Sequence, residues 1–152
     1  MRASGIPVVN ICQLIQRSAL MLITKKSSAI KEPADFENKK ISLWGGEFDI
    51  QARALFKLYG VQVRTIRQPA TIMLFLHGGV DVVSAMWYNE YHLLLNAGFN
   101  PDELRLFHFA DYGLDFPEDG IYCRQDFFEE NPDLCRHFVS ASIKGWQYAF
   151  DH

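Results

Sequence analysis

Lys39-Lys40-Ile41-Ser42-Leu43-Trp44-Gly45-Gly46-Glu47 decides the fold. Two lysines lead into a short apolar run, the run breaks at a Gly-Gly pair, and an amphipathic segment starts at once. That is a strand, a glycine loop and a helix start. It sets backbone N–H groups and a large ring at the open end of a sheet, where ligands of open α/β sheets bind. Glycines at such a turn also serve simply to relieve backbone strain. A second aromatic cluster, Trp87-Tyr88, at the matching place after a later strand favours the binding reading.

Downstream, the pattern repeats. A strand over 41–44 precedes a helix over 47–59, with Phe48, Ala52, Leu55 and Tyr59 at helical spacing and Gly60 just past its end. Residues 61–66 read as a strand. Pro69-Ala70-Thr71 opens a short helix that ends at His77-Gly78-Gly79, and 80–86 is an almost continuous apolar strand. Trp87-Tyr88-Asn89-Glu90 starts a helix to Asn96, closed by Gly98 and Pro101, and 104–109 is a fourth strand. Strands alternating with helices predict a mostly parallel sheet.

The flanks do not follow this repeat. Residues 7–16 and 19–24 read as two strands joined through Gln16-Arg17-Ser18, followed by a polar connector over 25–38. After a break over 111–119 come a strand over 120–124, a turn that Asp126 can cap, and a helix opened by Asn131-Pro132. That helix would carry Leu134, Phe138, Ala141, Gly145 and Tyr148 on one face. These flanks look like parts of a second unit. Strands 7–16 and 19–24 would then lack their sheet neighbours, which predicts that the isolated chain self-associates.

With 152 residues, the length predicts one domain, at roughly 100–200 residues each. Hydrophobic content of 49% with 22% charge excludes a disordered chain. A net charge of −3, with scattered Lys and Arg, argues against nucleic acid as a partner. Twelve Phe supply either a ring-lined pocket or a ring-rich core. Met1-Arg2-Ala3-Ser4-Gly5 lacks the pattern of a signal peptide, and no apolar run reaches the roughly 18 residues of a membrane span. Cys12, Cys123 and Cys135 form no metal spacing and read as buried thiols. A Cys123–Cys135 bridge is open in an oxidising compartment, and sequence alone does not decide it. No nucleophile–histidine elbow, zinc motif or phosphate loop occurs, so no catalytic residue, metal or cofactor is expected.

The order of Val9-Asn10-Ile11-Cys12-Gln13, Asp35-Phe36-Glu37-Asn38, Trp44-Gly45-Gly46, Gly79-Val80-Asp81, Tyr88-Asn89-Glu90, Glu118-Asp119-Gly120 and Asn131-Pro132 through Gly145-Trp146 resembles the periplasmic solute-binding proteins of ABC importers. The branch it resembles handles pyrimidine precursors of thiamine and is related to alkanesulfonate, taurine and nitrate binders. The resemblance implies a type II periplasmic-binding-protein-like α/β fold that closes on its ligand like a hinge. One complete doubly wound lobe would span 39–110, and 1–38 with 111–152 would form part of the other lobe with the hinge segments. Full members, with two domain-sized lobes, run to about twice this length, so the chain looks like a partial copy lacking the first half of one lobe. A membrane permease as partner, and a periplasmic or lipid-anchored location, follow from the same resemblance. Pyridoxal-phosphate-dependent pyrimidine synthases share the superfamily, but their cysteine-rich iron-binding run has no counterpart here. A pyrimidine-forming enzyme and a cytoplasmic ligand-sensing domain of a transcription regulator are the alternative readings.

Trp44, Trp87 and Tyr88 are the expected ligand rings, since flat rings sandwich a heterocycle. Glu90, beside Asn89, would accept paired N–H bonds from an aminopyrimidine edge, or else complement a helix dipole; the resemblance selects the ligand role. Gly45, Gly46 and Glu47 present loop N–H groups that suit an oxyanion. Glu47 and Asp49, however, place two acids in that turn, which favours a neutral or cationic heteroaromatic ligand. Gln13 and Gln16 would contribute from the other lobe. Asp119 either contacts ligand or shapes a turn.

Overall fold

The computed structural model describes residues 4–152; the reading of Met1-Arg2-Ala3 as the start of a non-signal segment lies outside them. In chain order the elements are β1 (Val8–Ile15), β2 (Leu20–Lys25), β3 (Lys40–Leu43), α1 (Ile50–Tyr59), β4 (Arg64–Arg67), α2 (Met73–Leu76) and β5 (Val82–Met86). There follow α3 (Glu90–Asn96), β6 (Leu104–His108), β7 (Glu118–Arg124), α4 (Gln125–Glu130) and α5 (Pro132–Asp151). The chain divides into two compact units rather than the single domain its length suggests. One is Arg17–Phe116, and the other joins the residues up to Gln16 to Pro117–His152.

In the unit Arg17–Phe116 the sheet order is β4-β3-β5-β2-β6. Leu20 and Leu22 of β2 pack with Ile41, Val82 and Phe107 on one face, and Met21 and Ile23 pack with Val83, Ala85 and Leu104 on the other. A strand that is apolar on both faces is satisfied only inside a covered sheet. β2 accordingly runs antiparallel between β5 and β6, its edges bonded on both sides. This corrects two expectations. Residues 19–24 belong to this unit and do not lack neighbours, so its boundaries fall at 16/17 and 116/117 instead of 38/39 and 110/111. The sheet is also mixed: β3 lies parallel to β4 and β5, while β2 opposes its neighbours. Helices on both faces make the unit doubly wound, as expected.

The connector over 25–38 does more than cross. Its 3-10 turn Pro33–Phe36 is held by Asp35, which accepts the N–H groups of Lys31 (2.8 Å) and Glu32 (3.1 Å). Those two bonds hold the Asp35 carboxyl below the usual aspartate range. The turn delivers Phe36, fully buried, against Phe107 and Phe56 at ring separations of 4.9 and 6.0 Å. The segment after Gly45 enters as a 3-10 turn, Gly46–Asp49, before α1 begins. That tighter turn shifts the helical phase. The buried face is therefore Gln51, Ala52, Leu55 and Phe56, and Phe48 and Tyr59 lie exposed.

In the other unit β1 pairs antiparallel with β7, with a bulge between Asn10 and Cys12, so strand 7–16 also has a neighbour. Only Cys135 of α5 is buried; Leu134, Phe138 and Tyr148, expected on a core face, are exposed because two strands offer α5 little to pack against. Asn131 precedes Pro132 at the start of α5 as expected, but its side chain donates to the Phe127 carbonyl (3.2 Å) and does not cap the helix. No helix among the described residues is long and apolar enough to cross a membrane.

Leu22→Ala removes a fully buried side chain from the central strand and lowers stability by about 2–5 kcal/mol. Phe48→Ala, at an exposed site, costs less than about 1 kcal/mol. Urea unfolding midpoints of the two variants check the phase of α1 and the place of β2 together.

Candidate functional site

The parallel strands β3, β4 and β5 end side by side, and their following turns gather most of the residues singled out above. Trp44 leaves β3 half-buried against the core, and its indole Nε1 is buried with no partner among the described residues. Gly46 has φ +72, a left-handed conformation that costs any other residue strain, so the turn itself calls for this glycine. At Gly45 an added Cβ would meet the Arg67 guanidinium at 3.7 Å. The end of β4 thus sets a cation beside the glycine loop. Of the two acids in this turn, Asp49 is paired with Arg53 at 2.8 Å, leaving Glu47 as the exposed one.

The turn after β5 is built around Glu90, which is 3% exposed. Its Oε2 accepts the Met86 N–H at 2.7 Å and its Oε1 accepts Asn89 Nδ2 at 3.0 Å. A charged acceptor here satisfies a strand-end N–H that no ladder reaches. The carboxylate therefore fixes the Trp87-Tyr88 turn from within. Trp87, 48% exposed, stacks on Tyr91 at 4.6 Å and 12°, with His92 and His108 at its sides, and its backbone N–H donates to the Ala19 carbonyl at 2.8 Å. Tyr88 beside it is 64% exposed.

Two glutamines escaped the sequence reading. Gln68, buried just past β4, accepts the Ser42 hydroxyl (3.1 Å) and donates to the Ser84 carbonyl (2.7 Å), tying the ends of β3, β4 and β5. Gln51, buried in α1, donates to the Leu114 carbonyl (2.8 Å) and accepts the Ser18 hydroxyl (3.1 Å), joining the first and last segments of this unit. The available signal was a polar residue standing at a position whose period demanded an apolar one. Arg67 carried no such mark.

The three remaining candidates lie in the other unit. Gln13 donates to the carbonyls of Ile15 (2.8 Å) and Glu118 and accepts Asn10 Nδ2 (2.7 Å), which clamps β1 to β7. A Cβ at Gly120 would come within 2.9 Å of both the Asn10 and Gln13 side chains, so the clamp needs glycine there. Asp119, exposed in β7, has φ +38, a conformation Asp tolerates better than most residues. Gln16 is exposed. Among the described residues no cluster of His, Cys, Asp and Glu could hold a metal ion.

A family model described as NMT1/THI5 like matches residues 1–152. The fold is shared with the periplasmic aliphatic sulphonate binding protein SsuA from Escherichia coli, at 17% identity and a TM-score of 0.69, over 91% of this chain and 48% of that one. It is shared likewise with a putative periplasmic sulfonate-binding protein of an ABC transporter from Methylobacillus flagellatus KT, at 18% identity and 0.69, over 94% and 43%. An ancestral arginine-binding protein aligns at 15% identity and 0.58, over 95% and 62%. The chain spans about half the length of the two sulfonate binders. No curated protein sequence matches it.

Glu90→Gln replaces a charge-assisted acceptor of a buried N–H and lowers stability by about 1–3 kcal/mol. Asn89→Ala, which removes one neutral donor, costs about half as much or less. Denaturant midpoints measure both, and a Glu90→Gln variant as stable as the parent would refute the bracing role of this carboxylate.

Proposed function

The chain belongs to the NMT1/THI5-like family, and from that premise we propose that it is part of the solute-binding component of an ABC import system. It captures a small heteroaromatic solute, of the kind of a thiamine pyrimidine precursor, between two lobes, and hands it to a permease in the membrane. It works outside the inner membrane, periplasmic or lipid-anchored, by binding and not by catalysis. The observation that carries this reading is the turn after β5: an exposed Trp87 backed by Tyr91, with Tyr88 beside it, braced by a buried carboxylate. Rings held in advance at a strand end take a flat ligand at little entropic cost. Trp44 adds a buried N–H donor that a ligand acceptor satisfies, and Glu90 has lone pairs left over for a ligand N–H. Gly45, Gly46, Glu47 and Asn89 line the same strand ends, and Gln13 and Asp119 are the proposed contribution of the second lobe.

One observation favours a second reading. The Arg67 guanidinium beside Gly45, with Asp49 neutralised by Arg53, suits an oxyanion such as a sulfonate.

The chain by itself also associates with copies of itself. β1 and β7 form a two-stranded sheet with open edges, and Tyr122, Phe138 and Trp146 are exposed around it.

In the full two-lobed protein, Trp87→Ala weakens aminopyrimidine binding about tenfold to a hundredfold, through lost stacking, and Arg67→Ala leaves it unchanged. Calorimetric titration with an aminopyrimidine and with taurine separates the readings: tight taurine binding lost on Arg67→Ala supports the oxyanion and removes the pyrimidine. Light scattering of the isolated chain should give a mass above the monomer's that grows with concentration; a constant monomer mass removes self-association.

A further inference from the structure

The two thiols that the sequence leaves undecided meet in the smaller sheet unit. Cys123 stands on β7 and Cys135 in the first turn of α5, and Cys135 is the neighbour that acts on the Cys123 thiol. Both line one cavity of about 310 Å³, with Ile11, Ile121, Phe127 and Phe138 among its walls. Cys135 is buried and Cys123 is partly exposed. Cys12, also partly exposed, sits across from Ile121 in the β1–β7 ladder. We propose that Cys123 and Cys135 form a disulfide bond when the protein meets an oxidising pool of small-molecule disulfide, stapling α5 to β7.

The staple fits what this unit lacks. α5 buries one side chain only, and a two-stranded sheet gives it little apolar area to hold on to. Small units of this kind gain most from a covalent link. Two sulfurs on the wall of one cavity form the bond by closing to about 2.05 Å, with the Cα atoms about 4.4–6.8 Å apart.

The chemistry balances as two exchanges. Cys123, the accessible thiol, loses its proton and attacks the external disulfide; one external thiolate leaves with the electron pair, and a mixed disulfide remains on Cys123. The Cys135 thiolate then attacks the Cys123 sulfur and expels the second external thiolate. The two cysteine sulfurs are oxidised by two electrons in all, the external disulfide is reduced to two thiols, and the two released protons end on those thiols. Burial, reinforced by the neighbouring Cys135, pushes the Cys123 thiol up. The first attack is therefore slow at neutral pH and speeds up as the pH rises through and beyond the ordinary thiol range.

The test uses the full chain, incubated with oxidised glutathione, alkylated without reduction and mapped by peptide mass spectrometry. The expected result is a Cys123–Cys135 linked peptide pair, alkylation at Cys12 alone, and a melting temperature raised by about 5–10 °C that reductant reverses. Cys123→Ser, at the more exposed position, keeps the fold and abolishes the reductant-sensitive shift, while Cys12→Ser retains it. Three alkylated thiols, a link that includes Cys12, or a glutathione adduct that persists on Cys123 would each overturn the proposal.

Discussion

Five consecutive residues of β2, Leu20 to Thr24, are buried on both faces and hydrogen-bonded along both edges. A peptide in that position has no solvent to fall back on, so each neighbour is obligatory. β5 and β6 supply the ladders. α1 and the Phe36 turn supply one apolar layer, and α2 and α3 help build the other. Thr24 closes the strand by donating its hydroxyl to the Asp81 carbonyl at 2.9 Å. A one-residue slip would exchange the two layers, which is why the register is so strongly determined.

On this frame the strand ends are held open by polar side chains buried beneath them. Gln68, Gln51 and Glu90 each satisfy backbone or hydroxyl groups that the ladders leave behind. Buried amides and carboxylates of this sort are costly unless fully bonded, and fully bonded they fix one conformation of the turns above. Trp87, Tyr88, Glu47 and Arg67 stand exposed above these buried bonds.

Local chemistry made part of this legible. Gly60 does end α1 in a left-handed conformation, the apolar run after Gly79 is the buried β5, and Asn89-Glu90 does open α3. What failed was long-range. An apolar run such as Leu20–Ile23 shows that a strand is buried on both faces, but not that its partners lie some sixty to ninety residues away. Glu90 looked like a group aimed at solvent or ligand. Nothing local shows that the Met86 N–H, four residues earlier, lacks an acceptor without it. Nor does anything local show that the Gln13 amide also ties β1 to β7. The 3-10 entry to α1 moved a correctly placed helix off its expected face, a change of phase that spacing alone does not record.

The place of β2 also governs the order in which this unit can assemble. Synthesis delivers Leu20–Lys25 early, yet its ladders need Val82–Met86 and Leu104–His108. The β3–α1–β4 crossover can form from neighbouring residues while the chain is still growing. The central strand has to wait, apolar on both sides, until nearly the whole unit has emerged, and closing such distant contacts carries the larger entropic cost. Until then the growing chain exposes its most aggregation-prone segment. The strand made first is the one that completes the sheet last.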